Sequence, residues 1–283
     1  MKKTMPTLLL SLPLLCAIPQ TSTLMAMAER NTAHKKPPLT KSFGVNEYRI
    51  SSGPIRIPGV KDNASGLTVN RKTGALFAVI NHPERLLELD VRGRVKRSIE
   101  LKGFRDTEGV AWIKDDTFGI AEEGKAIVSI CEVLPETRVI ARGKNRQITI
   151  EAAYLANTGL EGLCYDKKQN VFYAVKEKYP RKIYRFAADE KRKIAKVKSP
   201  WNIEEHSMGM SDLSGIALDD TSGHLLILSH ESKCVVECTP SGKEIGRLEL
   251  PGIPQPEGVA IDASGRLFIC SEPNMLYIFD KDH

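Results

Sequence analysis

Glu108, Glu161 and Glu257 each stand directly before a glycine that opens an apolar run, while Glu123, Glu177, Glu231 and Glu272 each close the apolar run that follows. Carboxylates gathered in one place without compensation raise one another's pKa and resist ionisation. A hard cation removes that repulsion, and calcium in particular accepts many oxygen ligands in loose geometry. These seven glutamates are therefore the candidate metal ligands, with calcium as the expected cofactor. Asp62, Asp106, Glu122 and Asp212 lie near the same positions. The second group has a competing structural role, accepting backbone N–H bonds from a neighbouring element or pairing with Lys125, Lys176, Lys178 and Arg181. Were the site hydrolytic, His82 and His230 would be the candidate bases and Lys176 and Arg181 the anion contacts. Ser229-His230-Glu231 is not a nucleophilic triad, because side chains adjacent along a strand point to opposite faces.

The elements that must position these acids are hairpins. PEGVAIDASGRLFICSEPN, residues 256–274, reads as two β-rich runs around a short turn containing glycine. Antiparallel pairing puts the start of the first run beside the end of the second, so Glu257 and Glu272 share one sheet edge. The pattern recurs as NASGLTVNRKTGALFAVINHP from Asn63, DTEGVAWIKDDTFGIAEEG from Asp106, GLEGLCYDKKQNVFYAVKEK from Gly159 and DLSGIALDDTSGHLLILSHES from Asp212. The residues before the repeat glycine are Ser65, Glu108, Glu161, Ser214 and Glu257, at spacings of 43, 53, 53 and 43. Such spacings fit four-stranded propeller blades.

LLELD at 86–90, IYRFA at 183–187, VVECT at 235–239 and LYIFD at 276–280 supply third strands; GRVKRSIEL and KEIGRLEL supply fourth strands. FGVNEYRI and its continuation would close the last blade. The expectation is an all-β protein, a five-bladed β-propeller of antiparallel strands, with six blades as the alternative if a 53-residue spacing hides a degenerate one. The inner strands would then set Ser65, Glu108, Glu161, Ser214 and Glu257 around one mouth of the central channel. His82, Glu123, Glu177, Glu231 and Glu272 would stand at the second-strand ends. With serine at two of the five inner positions, the ring of acids is incomplete.

Residues 1–28 combine Lys2 and Lys3, a leucine-rich stretch and Ala26-Met27-Ala28, as a secretory signal peptide requires. The alternative is an uncleaved membrane anchor; the prolines and the QTST segment favour cleavage. Residues 29–42 form a polar, basic, proline-containing linker, and residues 43–283 a single propeller domain. Removing Lys2 and Lys3 from a net charge of +6 leaves +4. That is too mild for a nucleic-acid partner, and RGKNR at 142–146 and KRKIAKVK at 191–198 read as solvated loops or edge strands. Without Cys16 the chain has five cysteines and no zinc spacing. Cys234 and Cys238 would stand about 13 Å apart on a strand, too far to bond; the thiols read as buried strand residues, with one bridge between distant positions left open.

The stretches NVFYAVKEK, DLSGIALDDTSGHLLILSHES and PEGVAIDASGRLFICSEPN resemble the SdiA-regulated family of bacterial envelope proteins, and the resemblance spans residues 43–283. More distantly the repeat resembles NHL-type propellers. The family resemblance implies a periplasm-facing propeller, calcium-associated in some members, with no well-established reaction. Three functions follow as alternatives. The first is an exported, monomeric calcium-binding module for a small-molecule or protein ligand, with inner-membrane association if the N-terminal segment is retained. The second is a calcium-dependent hydrolase, similar to phytase-like propellers or lactonases, and the third a scaffold whose acids only hold blades together.

Overall fold

A computed structural model describes residues 41–150, 159–187, 194–203 and 208–282. The expected signal or anchor over residues 1–28 and most of the linker lie outside the described residues. No helix among the described residues is long and apolar enough to cross a membrane.

A short 3-10 turn (Val45–Glu47) leads into β1 (Tyr48–Arg56). The first blade is β2 (Ala64–Val69), β3 (Leu76–Ile80), β4 (Arg85–Leu89) and β5 (Val95–Lys102). The second is β6 (Thr107–Lys114), β7 (Thr117–Glu122), β8 (Ile127–Glu132) and β10 (Arg146–Ile150), while the intervening β9 (Val139–Ala141) returns to pair with β5. The third is β11 (Leu160–Asp166), β12 (Val171–Lys176) and β13 (Lys182–Ala187). After it, β14 (Ile194–Ala195) adds in parallel to β10, so these two residues form an edge strand of the second blade. The fourth is β15 (Gly215–Leu218), β16 (Leu225–Ser229), β17 (Cys234–Cys238) and β18 (Glu244–Glu249). The fifth is β19 (Gln255–Ile261), β20 (Leu267–Glu272) and β21 (Met275–Lys281), completed by β1.

β1 pairs antiparallel with β21, from Tyr48 opposite Lys281 to Arg56 opposite Met275, so the first described strand closes the ring on the last. Five blades, not six, account for the repeats. Near-continuous apolar runs such as LFAVI in β3 and LLILS in β16 give the blades two apolar faces, and five buried clusters fill the five gaps between neighbouring blades. All five described cysteines are buried and free, so the bridge left open by the sequence is not formed.

The repeat glycines set the diameter of the ring. A Cβ on Gly66 would lie 2.4 Å from the carbonyl oxygen of Glu108, one on Gly109 2.5 Å from that of Glu161, and one on Gly258 2.5 Å from that of Ser65. Gly162 and Gly215 meet the next blade's backbone in the same way, which completes the circle. Five inner strands therefore approach backbone to backbone, at distances only glycine permits. The residues that follow, Leu67, Val110, Leu163, Ile216 and Val259, are buried and plug the channel. What lies at the mouth rests on an apolar floor.

The entering chain is fastened by Glu237, whose side chain is fully buried. Its Oε1 accepts from Ser42 Oγ at 2.8 Å and the Phe43 amide at 2.8 Å, and its Oε2 from the amides of Gly44 at 2.8 Å and Val45 at 3.1 Å. His224 Nδ1 lies 2.6 Å from Oε1. This clasp joins residues 42–45 to the fourth blade on the side away from the repeat glutamates, since Glu237 and His224 stand towards the far ends of β17 and β16.

Candidate metal centre

The inner strands do not run straight through the acid positions. Pairing skips from Ala64 to Leu67 in β2, from Thr107 to Gly109 in β6, from Leu160 to Leu163 in β11 and from Pro256 to Gly258 in β19. These bulges fall on Ser65, Glu108, Glu161 and Glu257. A bulge frees a residue from the ladder and re-aims its side chain, and here that happens at the same edge in four of the five blades.

Three carboxylates converge most closely. One oxygen each from Asp106, Glu108 and Glu123 lie within 4.8 Å of one another. Asp106 takes a left-handed backbone with φ 57°, a region aspartate tolerates, two residues ahead of Glu108. The amide of Glu123, the first residue past β7, donates to the Asp106 carbonyl at 2.8 Å, while its Oε1 accepts from the Gly159 amide at 3.0 Å. From the end of β3, Asn81 Nδ2 donates to Asp106 Oδ1 at 2.8 Å and to Glu108 Oε1 at 2.7 Å. Asn81 Oδ1 is buried and has no hydrogen-bond partner. Turned over, the same amide would offer that oxygen to the space between the carboxylates, an orientation only a cation makes favourable. The donor set, all hard oxygens from two blades, suits calcium.

Burial and mutual repulsion act together across the mouth. Burial, with Asp106 and Glu123 adding to it, pushes Glu108 up to about 7 despite hydrogen bonds from Ser65 and Asn81. Glu161 is held well above the carboxylate range by burial and by the charges of Glu108, Glu123, Glu257 and Glu177. Burial and then Glu272 push Glu257 up to about 9. Glu123 and Glu272 are raised as well, burial leading in both. Burial leads in each of these shifts, and neighbouring carboxylates add to it.

The sequence-derived acids divide accordingly. Glu108 and Glu123 form the convergent group, with Glu161 contributing repulsion from the next blade. Glu257 turns instead towards His230, whose Nδ1 lies 3.3 Å from Glu257 Oε1 and 4.0 Å from Asp212 Oδ2. Glu177 and Glu231 are bridged by Lys178 Nζ at 3.1 and 2.6 Å, and Glu231 is exposed at the rim. Glu272 pairs across the strand with Gln255, and His82 is exposed. Glu122 faces away from this group, fully buried and paired with Arg142. Lys176 is no anion contact: its buried Nζ donates to the carbonyls of Lys178, Tyr179 and Pro180. Ser214 Oγ donates to the Pro256 carbonyl at 2.8 Å, which explains a hydroxyl there in place of an acid.

Sequence reasoning placed Asp106 only near the edge and omitted Asn81. The signal for Asp106 was its place just ahead of the inner strand, two residues before Glu108. For Asn81 it was the matching column: asparagine ends the second apolar run just before His82.

This is a five-bladed β-propeller with a plugged channel and a carboxylate-rich candidate metal centre at one mouth. The chain belongs to the SdiA-regulated family, whose model matches residues 40–280. Among solved structures the fold is similar to that of regucalcin of Agrobacterium tumefaciens, described as a calcium-binding protein, with TM-score 0.53 and 15% identity over 78% of this chain and 91% of that one. It is similar also to that of a chain in a nidogen/laminin complex, with TM-score 0.52 and 12% identity over 78% and 75% of the two chains. A luciferin-regenerating enzyme matches with TM-score 0.50 and 12% identity over 80% and 94%. At these identities the likeness shows the fold alone.

Proposed function

We propose that the protein is an exported envelope propeller that binds calcium through Asp106, Glu108 and Glu123, with Asn81 Oδ1 as a further ligand, and presents the loaded mouth to a small-molecule or protein ligand. The observation that carries this reading is the convergence of three carboxylates on a buried amide whose oxygen has no partner. The description of regucalcin as a calcium-binding protein is in keeping with it. Export and a place facing the periplasm rest on residues 1–28 and the family resemblance. The ion's role in this reading is to neutralise the mouth and fix the five inner strands, so that recognition occurs on an ordered surface. Isothermal titration of the chelator-treated full chain with calcium tests it. Stoichiometric binding lost in Glu108→Gln and retained in Glu257→Gln is expected; no binding heat and an unchanged melting temperature would leave the acids as blade fasteners.

A calcium-dependent hydrolase is the second reading, favoured by the imidazole of His230 lying against Glu257 and Asp212 at the same mouth. It predicts turnover of a lactone or phosphate ester that His230→Ala abolishes while calcium binding persists.

A further inference from the structure

Beside the mouth, between the third and fourth blades, lies an open groove of about 540 Å³ lined by Lys178, Tyr179, Pro180, Arg181, Ser211 and Glu231. Its volume falls in the range of small-molecule sites. Tyr179 is 85% exposed, far more than any other large hydrophobic side chain among the described residues. Its backbone has φ 48°, a left-handed conformation that is costly for a bulky residue.

The loop that holds it is built rather than loose. The Lys176 ammonium, 4% exposed, sits beneath it and donates to three successive carbonyls, those of Lys178, Tyr179 and Pro180. The Lys178 ammonium ties the loop to both sides of the groove, through Glu177 on the third blade and Glu231 on the fourth. A buried cation, Lys176, and a half-buried one, Lys178, thus fix a strained backbone so that an aromatic ring stands in water. Core packing gives no reason for that arrangement.

We propose that this groove is a carbohydrate subsite, in which a neutral pyranose lies against the Tyr179 ring. A pyranose has an apolar C–H face and a rim of hydroxyls. The groove supplies the matching parts: a flat aromatic face, and around it the Ser211 hydroxyl, the Lys178 ammonium and the Glu231 carboxylate. Lys178 is already paired with Glu177 and Glu231, so these groups meet a polyol's hydroxyls as ion pairs. The subsite gives a chemical class to the ligand of the binding module proposed above, and it rests on that reading. The ion and the sugar bind different residues, so each can fail alone.

The test is saturation-transfer-difference NMR on the full chain, with methyl β-glucopyranoside and its N-acetylglucosamine analogue as probes at millimolar concentration. Saturation of ring protons is expected with the wild-type chain and with Tyr179→Phe, while Tyr179→Ala weakens binding about tenfold, the loss of about 1.4 kcal/mol at the upper end for aromatic contacts. Because Tyr179 is exposed, the alanine variant should keep its melting temperature. Glu108→Gln should lose calcium binding and keep the sugar signal. Absence of saturation for both probes overturns the proposal, as does an undiminished signal in Tyr179→Ala. A sugar signal that disappears in Glu108→Gln would place binding at the mouth instead and overturn the groove assignment.

Discussion

Removing one charge from the mouth should stabilise the ion-free protein. Glu108 sits on the apolar plug beside Asp106 and Glu123, and its carboxyl is pushed from an ordinary 4.5 up to about 7. Such a displacement corresponds to about 3 kcal/mol of unfavourable ionisation free energy. Because the folded pKa is the higher one, the contribution of this group to stability is fully present below pH 4.5 and is lost as pH rises through 7. In chelator at pH 8, Glu108→Gln, which keeps an acceptor for Asn81, should therefore be more stable than wild type by up to about 3 kcal/mol, or roughly 5–10 °C in melting temperature for a domain of this size. At pH 5 the two should nearly coincide. Saturating calcium should reverse the order at pH 8, since only wild type then gains binding free energy. Thermal unfolding followed by circular dichroism at both pH values, with chelator and with calcium, reads all four combinations. A variant less stable than wild type in chelator at pH 8 would refute the claim that the mouth is under electrostatic strain; equal calcium stabilisation of both proteins would remove Glu108 from the site.

Calcium binding should release protons near neutral pH, because the ligand Glu108 holds its proton up to about 7 and Glu123 is raised as well. Titration enthalpies at pH 7 should accordingly change with the ionisation enthalpy of the buffer, and affinity should fall as pH drops from 8 to 6. Gly109→Ala places a methyl group 2.5 Å from the Glu161 carbonyl and should cost about 3 kcal/mol in urea unfolding. Gly143→Ala, with nothing within 4 Å, should change stability by less than about 0.5 kcal/mol. Glu237→Ala should cost about 3–5 kcal/mol, because four donors and His224 lose a buried carboxylate, and should expose residues 42–47 to protease before the rest of the domain. Burial raises the Glu237 carboxyl, but the hydrogen bonds from His224, Val45 and Ser42 outweigh it and hold it below its ordinary range. Its stabilisation is thus present above pH 4.5 and is lost as pH falls further.

The repeat was legible because each blade obeys local rules. Period-two alternation, turn glycines and a recurring spacing identify strands and repeats without reference to any distant residue, so a propeller closed by its first strand was legible in the chain, with five blades expected and six left open. The inner acids were legible for the same reason, as a column of equivalent positions.

Which of those acids face one another was not legible, because a column says only that residues share an edge. Bulges at Glu108, Glu161 and Glu257 re-aim side chains by amounts no spacing encodes, and partners from other strands divide the rest: Lys178 takes Glu177 and Glu231, His230 takes Glu257, and Arg142 takes Glu122. Asn81 entered the site because its second hydrogen-bonding group is left without a partner, a fact that exists only once the surroundings are in place. The repeat and the kind of chemistry available were legible in the chain, while the ring of sheets decided five blades over six. Only the tertiary structure decided which three carboxylates stand within 4.8 Å, since that depends on backbone approach between blades, set by glycines packed against their neighbours' carbonyls.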